Sequence, residues 1–169
     1  MYDLVKIENR CKEISASVGD VFDIPVSING RLTRTLGRVH QEKIDGETWI
    51  STKMEFSRSF LETSTDETVE SVIAHEWAHY YVTKITGESH GHDAHFKRVC
   101  ALIGCENDGV ATKVERTVEA KSRYKYVVHC HTCNEDIGFY TRMCGTLKNL
   151  NLCTCKRCGG NNLSYTQNW

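Results

Sequence analysis

Residues 64–87 read STDETVESVIAHEWAHYYVTKITG. Val69, Val72, Ile73 and Trp77 recur at helical spacing, which predicts a helix over 66–86. Ser64 to Glu67 has the form of a capping box, and Gly87 supplies a C-terminal stop. On such a helix His75 and His79 stand one turn apart on the same face. Two imidazoles so placed can reach one metal ion at about 2.0–2.1 Å. Glu76 is turned by roughly 100° from His75 and so flanks the ion without ligating it. That position suits a general base that takes a proton from water activated by zinc. Zinc of this kind needs three protein ligands and one open position.

The third ligand comes from elsewhere, and Ser89-His90-Gly91-His92-Asp93-Ala94-His95 follows directly. A glycine-containing turn there can fold back beneath the metal. His92 is favoured, with His95 second and His90 third, and the unused histidines can support the ligands from behind. A second helix is expected over 93–103, with Phe96, Val99, Cys100 and Ile103 as its buried stripe and Gly104 at its end. The metzincin pattern is excluded, because Val82 stands where it requires glycine.

Upstream, Leu4, Ile7, Cys11 and Ile14 predict a helix over 2–15. A strand is expected over 22–28. Residues 36–41 and 48–51 read as a hairpin with Asp45-Gly46 near its turn. These elements add up to an α+β fold: a zincin-like core with a short antiparallel sheet against the His-Glu-x-x-His helix.

Downstream, residues 110–120 suggest a strand or linker, and the composition changes near Lys121. The division is therefore 1–120 and 121–169. Cys130-His131-Thr132-Cys133 and Cys155-Lys156-Arg157-Cys158 are two C-x-x-C knuckles separated by 21 residues. That spacing is a zinc ribbon's, in which four thiolates close a tetrahedron and leave no open position. This second zinc is expected to be structural and to stabilise a segment too small to build a core of its own. Cys153, His129 and His131 are substitute ligands of lower rank. Cys11, Cys100 and Cys105 read as small buried apolar residues. A redox pair is disfavoured, since no βαβ pattern surrounds the knuckles.

The 169 residues are 40% hydrophobic and 25% charged, ordinary for a globular protein. No run of about 18 apolar residues suggests a membrane span, and the first ten residues do not resemble a signal peptide. An intracellular, cytoplasmic location follows as the expectation, and the clustered cysteines among the nine suit metal binding in a reducing compartment. Residues 1–110 carry 12 Lys and Arg against 18 Asp and Glu, whereas residues 111–169 carry 9 against 4. Within that basic third, Arg123, Lys125, Arg142, Lys156 and Arg157 lie among Tyr124, Tyr126, Phe139 and Tyr140. Cations beside stacking rings are the ingredients of single-stranded DNA binding.

His75-Glu76-Trp77-Ala78-His79, then Gly91-His92 with Phe96 four residues on, then the two knuckles, together resemble the SprT-like (SprT/Spartan) zinc metalloproteases. Residues 31–39 and Trp49-Ile50-Ser51 are similar to the family's segments before the active-site helix. The resemblance spans 22–163. It implies His75, His79 and His92 as ligands of a catalytic zinc, Glu76 as the catalytic residue, and the ribbon as the family's zinc-binding subdomain. It further implies an endopeptidase that cleaves proteins bound or crosslinked to DNA, with DNA, single-stranded or disrupted duplex, as a partner. A monomer of bacterial or phage type is expected, with two zincs per chain. The rival readings are a non-catalytic zinc-containing DNA-binding module and a zinc hydrolase with a non-peptide substrate.

Overall fold

The computed structural model describes residues 2–105 and 121–169. The expectation for 110–120 lies outside the described residues. The chain divides into two compact units, 1–115 and 116–169.

In the first unit the order is α1 (Leu4–Ser17), β1 (Val26–Asn29), β2 (Gly37–Ile44), β3 (Thr48–Ser57), α2 (Arg58–Thr63), α3 (Asp66–Thr86) and α4 (Ala94–Leu102). Helix α1 starts later than the sequence suggests, because the Asp3 side chain caps it by accepting from the Lys6 N–H at 2.9 Å. Ile7, Cys11 and Ile14 form its buried face.

The sheet has the order β1-β3-β2 and is mixed, not antiparallel as expected. β1 runs parallel to β3, with Val26 opposite Met54, and is shorter than predicted. β2 pairs antiparallel with β3, with Gly37 opposite Phe56. The reason is the crossing between β1 and β2, which carries the chain from one edge of β3 to the other. Ser57, at the end of β3, holds that crossing: its N–H donates to Leu36 O at 2.8 Å and its hydroxyl to Leu32 O at 2.6 Å. Asp45 and Gly46 turn the hairpin, both with positive φ (52° and 76°). Both hairpin strands run further than predicted, and β2 carries a bulge between His40 and Gln41.

Helix α3 has the predicted span, but its cap is shifted by one residue. Thr65, not Ser64, accepts from the Thr68 N–H. The backbone of Ser64 is committed to the preceding helix: its N–H donates to Phe60 O and closes α2, an element too short to leave a periodic signal. Trp77 and Tyr80 are core residues, 0% and 1% exposed. They join Val69, Val72, Ile73, Met54, Phe56 and Phe96 in one cluster. Trp77 Nε1–H donates to the buried Ser15 hydroxyl at 2.9 Å and ties α3 to α1.

In the second unit, β4 (Tyr126–Cys130), β5 (Glu135–Tyr140) and β6 (Leu163–Gln167) form an antiparallel sheet of order β5-β4-β6. A four-residue helix, α5 (Gly145–Lys148), and a 3₁₀ turn over Leu150–Leu152 precede the second knuckle. Tyr126, Val128, Leu147 and Leu150 make a small core. No described helix is long and apolar enough to cross a membrane.

Candidate metal centre

His75 and His79 stand on consecutive turns of α3, and His92 lies in the loop that enters α4. Asp93 starts α4 by accepting from the N–H groups of His95 (2.9 Å) and Phe96 (3.1 Å). That cap fixes the residue just before it. His92 Nε2 consequently lies 3.1 Å from His79 Nε2 and 3.2 Å from His75 Nε2. Three nitrogens around one tetrahedral zinc, each at about 2.0–2.1 Å, would stand roughly 3.3 Å apart, so the spacing fits this ion. Phe96, 0% exposed, supports all three rings, with centroids 5.1 Å from His75, 4.3 Å from His79 and 4.9 Å from His92.

The electrostatics favour a cation. Burial and the neighbouring His75 and His92 push His79 down to about 4, which leaves a neutral imidazole with a free lone pair. Burial pushes Glu76 up to about 8. A dication among the three imidazoles is the counter-charge that favours its carboxylate. His75, Glu76, His79 and His92 share one cleft with Gly37 and Val39 of β2, one of the two outer strands of the sheet. Among the described residues the cluster offers three donors, one fewer than a tetrahedral zinc takes.

The other candidate histidines are used differently. His90 Nδ1 lies 2.7 Å from Asp93 Oδ2 and its Nε2 3.1 Å from Thr86 Oγ1, so both ring nitrogens are engaged away from the cluster. His95 packs beside His90, with ring centroids 4.9 Å apart.

Cys130, Cys133, Cys155 and Cys158 converge in the second unit. The Sγ–Sγ separations are 3.7 Å for Cys130–Cys158 and 3.9 Å for Cys133–Cys155. A tetrahedron with Zn–S of about 2.3 Å requires roughly 3.8 Å. Backbone N–H groups of Cys133 and Thr132 hold the Cys130 thiol down to about 6, and those of Cys158 and Arg157 lower Cys155. Gly160 is required by contact: a Cβ there would meet Thr132 Oγ1 at 2.3 Å, closing off the approach of one knuckle to the other. The substitute ligands are engaged elsewhere. Cys153 Sγ donates to Asn149 O, His129 contacts Asp136, and His131 contacts Ser164.

The SprT-like family model matches residues 7–119. The chain belongs to the SprT-like family. This family is in general one of metalloproteases, and both site histidine segments fall within the matched span. No curated protein sequence matches the chain.

Of the candidate DNA-contacting residues in this SprT-like chain, the structure groups only some. Lys156 and Arg157 border a cavity of about 290 Å³ that Tyr140, Val128 and Leu163 also line. Lys125 Nζ lies 5.1 Å from the Trp169 ring centroid, and Tyr124 packs on Phe139. Tyr126 departs from the expectation that it faces a partner: at 7% exposure it sits in the second core, and β4 commits its ring to packing. Trp169, 64% exposed, supplies the open ring beside Lys125 instead. Sequence reading missed it because it stands outside both knuckles and the tyrosine-lysine alternation. Arg123 and Arg142 are exposed and border neither group.

Proposed function

We propose that this chain is a zinc endopeptidase with a zincin-like core, acting on proteins bound or crosslinked to DNA. The observation that carries the reading is the convergence of His75, His79 and His92 Nε2 beside the buried carboxyl of Glu76, in a cleft bordered by an edge strand.

His75, His79 and His92 would hold the catalytic zinc, which when bound supplies Lewis acidity to water and to a peptide carbonyl. Glu76, pressed into the cleft by burial, accepts the proton of the attacking water and returns it to the departing amine. Among the described residues β2 has no strand on its outer side, so an extended peptide could pair with it and lie along the cleft. The ribbon zinc, held by Cys130, Cys133, Cys155 and Cys158, is structural in this reading, giving two zincs per chain.

DNA enters through the second unit. Lys125 with Trp169, and Lys156 and Arg157 at the mouth of a partly apolar cavity, place cations beside rings and apolar surface. Such groups track phosphates and stack bases. Arg123, Tyr124 and Arg142 would extend that surface.

The test is cleavage of a DNA-binding protein with and without single-stranded DNA, followed by removal of zinc with a chelator. Chelator-sensitive cleavage enhanced by DNA supports the reading. Chelator-insensitive or absent cleavage contradicts it.

A further inference from the structure

Between the last turn of α3 and the first of α4, residues 87–93 hold one of the three clustered imidazoles, and nothing in that short loop is hydrophobic enough to pack it down. Polar contacts anchor it at three places. Gly87 O accepts from the Trp49 N–H of β3 at 2.8 Å. The Ser89 hydroxyl donates to Gln41 Oε1 at 2.8 Å, and Gln41 Nε2–H in turn donates to Thr83 Oγ1 at 2.7 Å. His90 spans the two helices, with Nε2 on Thr86 of α3 and Nδ1 on Asp93, the cap of α4. Its side chain is 7% exposed, although it is polar and lies in a loop.

The backbone of His90 has a separate partner. Its carbonyl faces the ring of His79 and favours a proton on that ring. Since His79 Nε2 faces His92, Nδ1 is the ring nitrogen left for that carbonyl. A carbonyl on that side favours the Nδ1–H tautomer and leaves Nε2 facing the other imidazoles. One residue therefore bears on two of the three candidate ligands by different means. It orients His79 through its carbonyl, and it fixes the placement of His92 through the Thr86–Asp93 bridge.

We propose that His90 is a positioning residue for the metal centre, holding the 87–93 loop so that His79 and His92 are aimed before the metal arrives. The inference rests on the reading that His75, His79 and His92 hold zinc. An alanine at this position leaves the carbonyl in place but frees the loop that carries it, so both aims relax together. Preorganised ligands bind more tightly because less ordering accompanies binding. Outer partners of metal ligands typically contribute about 10- to 100-fold in affinity.

The test uses the full chain loaded with zinc and titrated with a chromophoric chelator. The release step that disappears in His75→Ala belongs to the histidine cluster. The other step belongs to the ribbon and serves as the internal reference. In His90→Ala the histidine-cluster step should move to about 10- to 100-fold lower chelator, with the ribbon step unmoved. The cobalt-substituted protein should show a broadened visible band for the histidine site. A purely structural role would lower thermal stability and leave both metal readouts in place. If His90→Ala does not fold, Thr86→Val, which keeps the shape of residue 86 and removes one end of the bridge, decides in the same direction with at least a threefold shift. A shift below threefold overturns the proposal. Complete loss of the histidine-cluster step in His90→Ala also overturns it, since His90 would then be a ligand. A wild-type chain with no such step would overturn the zinc reading itself, and the positioning role with it.

Discussion

Gly37 and Glu76 approach so closely that a Cβ on Gly37 would stand 2.8 Å from Glu76 Cγ and 3.1 Å from the Phe56 ring. The start of the edge strand thus forms one wall of the space that Glu76 occupies. Phe56 is fully buried and cannot yield, so the carboxylate side chain must.

Gly37→Ala should therefore displace Glu76 while leaving the histidine cluster intact. A shift of about 1 Å in a reacting group can cost on the order of 100-fold in rate. Steady-state peptidase assays should show kcat lowered by at least tenfold, with zinc content unchanged. Activity equal to wild type would mean that the position of Glu76 is not critical.

Trp77 and Ser15 form a buried pair 62 residues apart in sequence, joined by the indole N–H. Trp77→Phe keeps an aromatic ring but leaves the Ser15 hydroxyl without its donor. An unsatisfied buried polar group costs about 1–3 kcal/mol. In a chain of this size each 1 kcal/mol lowers the melting temperature by about 2–4 °C. The double variant Trp77→Phe, Ser15→Ala should recover part of that loss in thermal unfolding. No recovery would assign the cost to lost packing alone.

Glu55 on β3 accepts from Lys53, Arg38 and Asn29 and contacts His40. Lys53 and His40, followed by Arg38 and Asn29, hold its carboxyl far below the ordinary value of 4.5. A carboxylate lowered in the folded state stabilises the fold above its unfolded pKa, and that stability is lost as pH falls through the folded value. Wild type should lose stability progressively below about pH 4.5. Glu55→Gln should be less stable at pH 7 and show a flatter decline on acidification. Parallel stability–pH curves for the two proteins would exclude Glu55 as a source of the dependence.

Much of α3 could be read from sequence because its signals are local: apolar spacing, a cap region and Gly87. The same locality explains what could not be read. The parallel pairing of β1 with β3 depends on a crossing held by Ser57, a long-range arrangement that no hydrophobic pattern records. The shift of the α3 cap from Ser64 to Thr65 follows from α2, whose six residues are too few for a periodic trace. Among three nearby histidines, spacing alone left the third member of the cluster open. The structure separates them by the Asp93 cap and by the Thr86–His90–Asp93 bridge, neither of which leaves a sequence pattern. The packing of Tyr126 and the placement of Trp169 depend on the pairing of β4 with β6.

The ribbon's dependence on metal can be tested through Cys155, which is 1% exposed. Small zinc-bound segments draw apparent binding energies of about 10–16 kcal/mol into folding. Cys155→Ser should reduce zinc from two to one per chain and collapse the amide dispersion of residues 121–169 in NMR spectra. The signals of α1 and α3 should persist. An unchanged ribbon spectrum with one zinc would show that its small core suffices.

The central claim is that Glu76 moves a proton beside a zinc held by His75, His79 and His92. It is tested most directly by measuring protein cleavage and zinc content together in wild type and Glu76→Gln. General acid–base groups typically contribute about 10²- to 10⁴-fold. The variant should retain both zincs and its melting temperature, with cleavage reduced by at least 100-fold. Cleavage at the wild-type rate by a fully zinc-loaded Glu76→Gln protein would contradict the account.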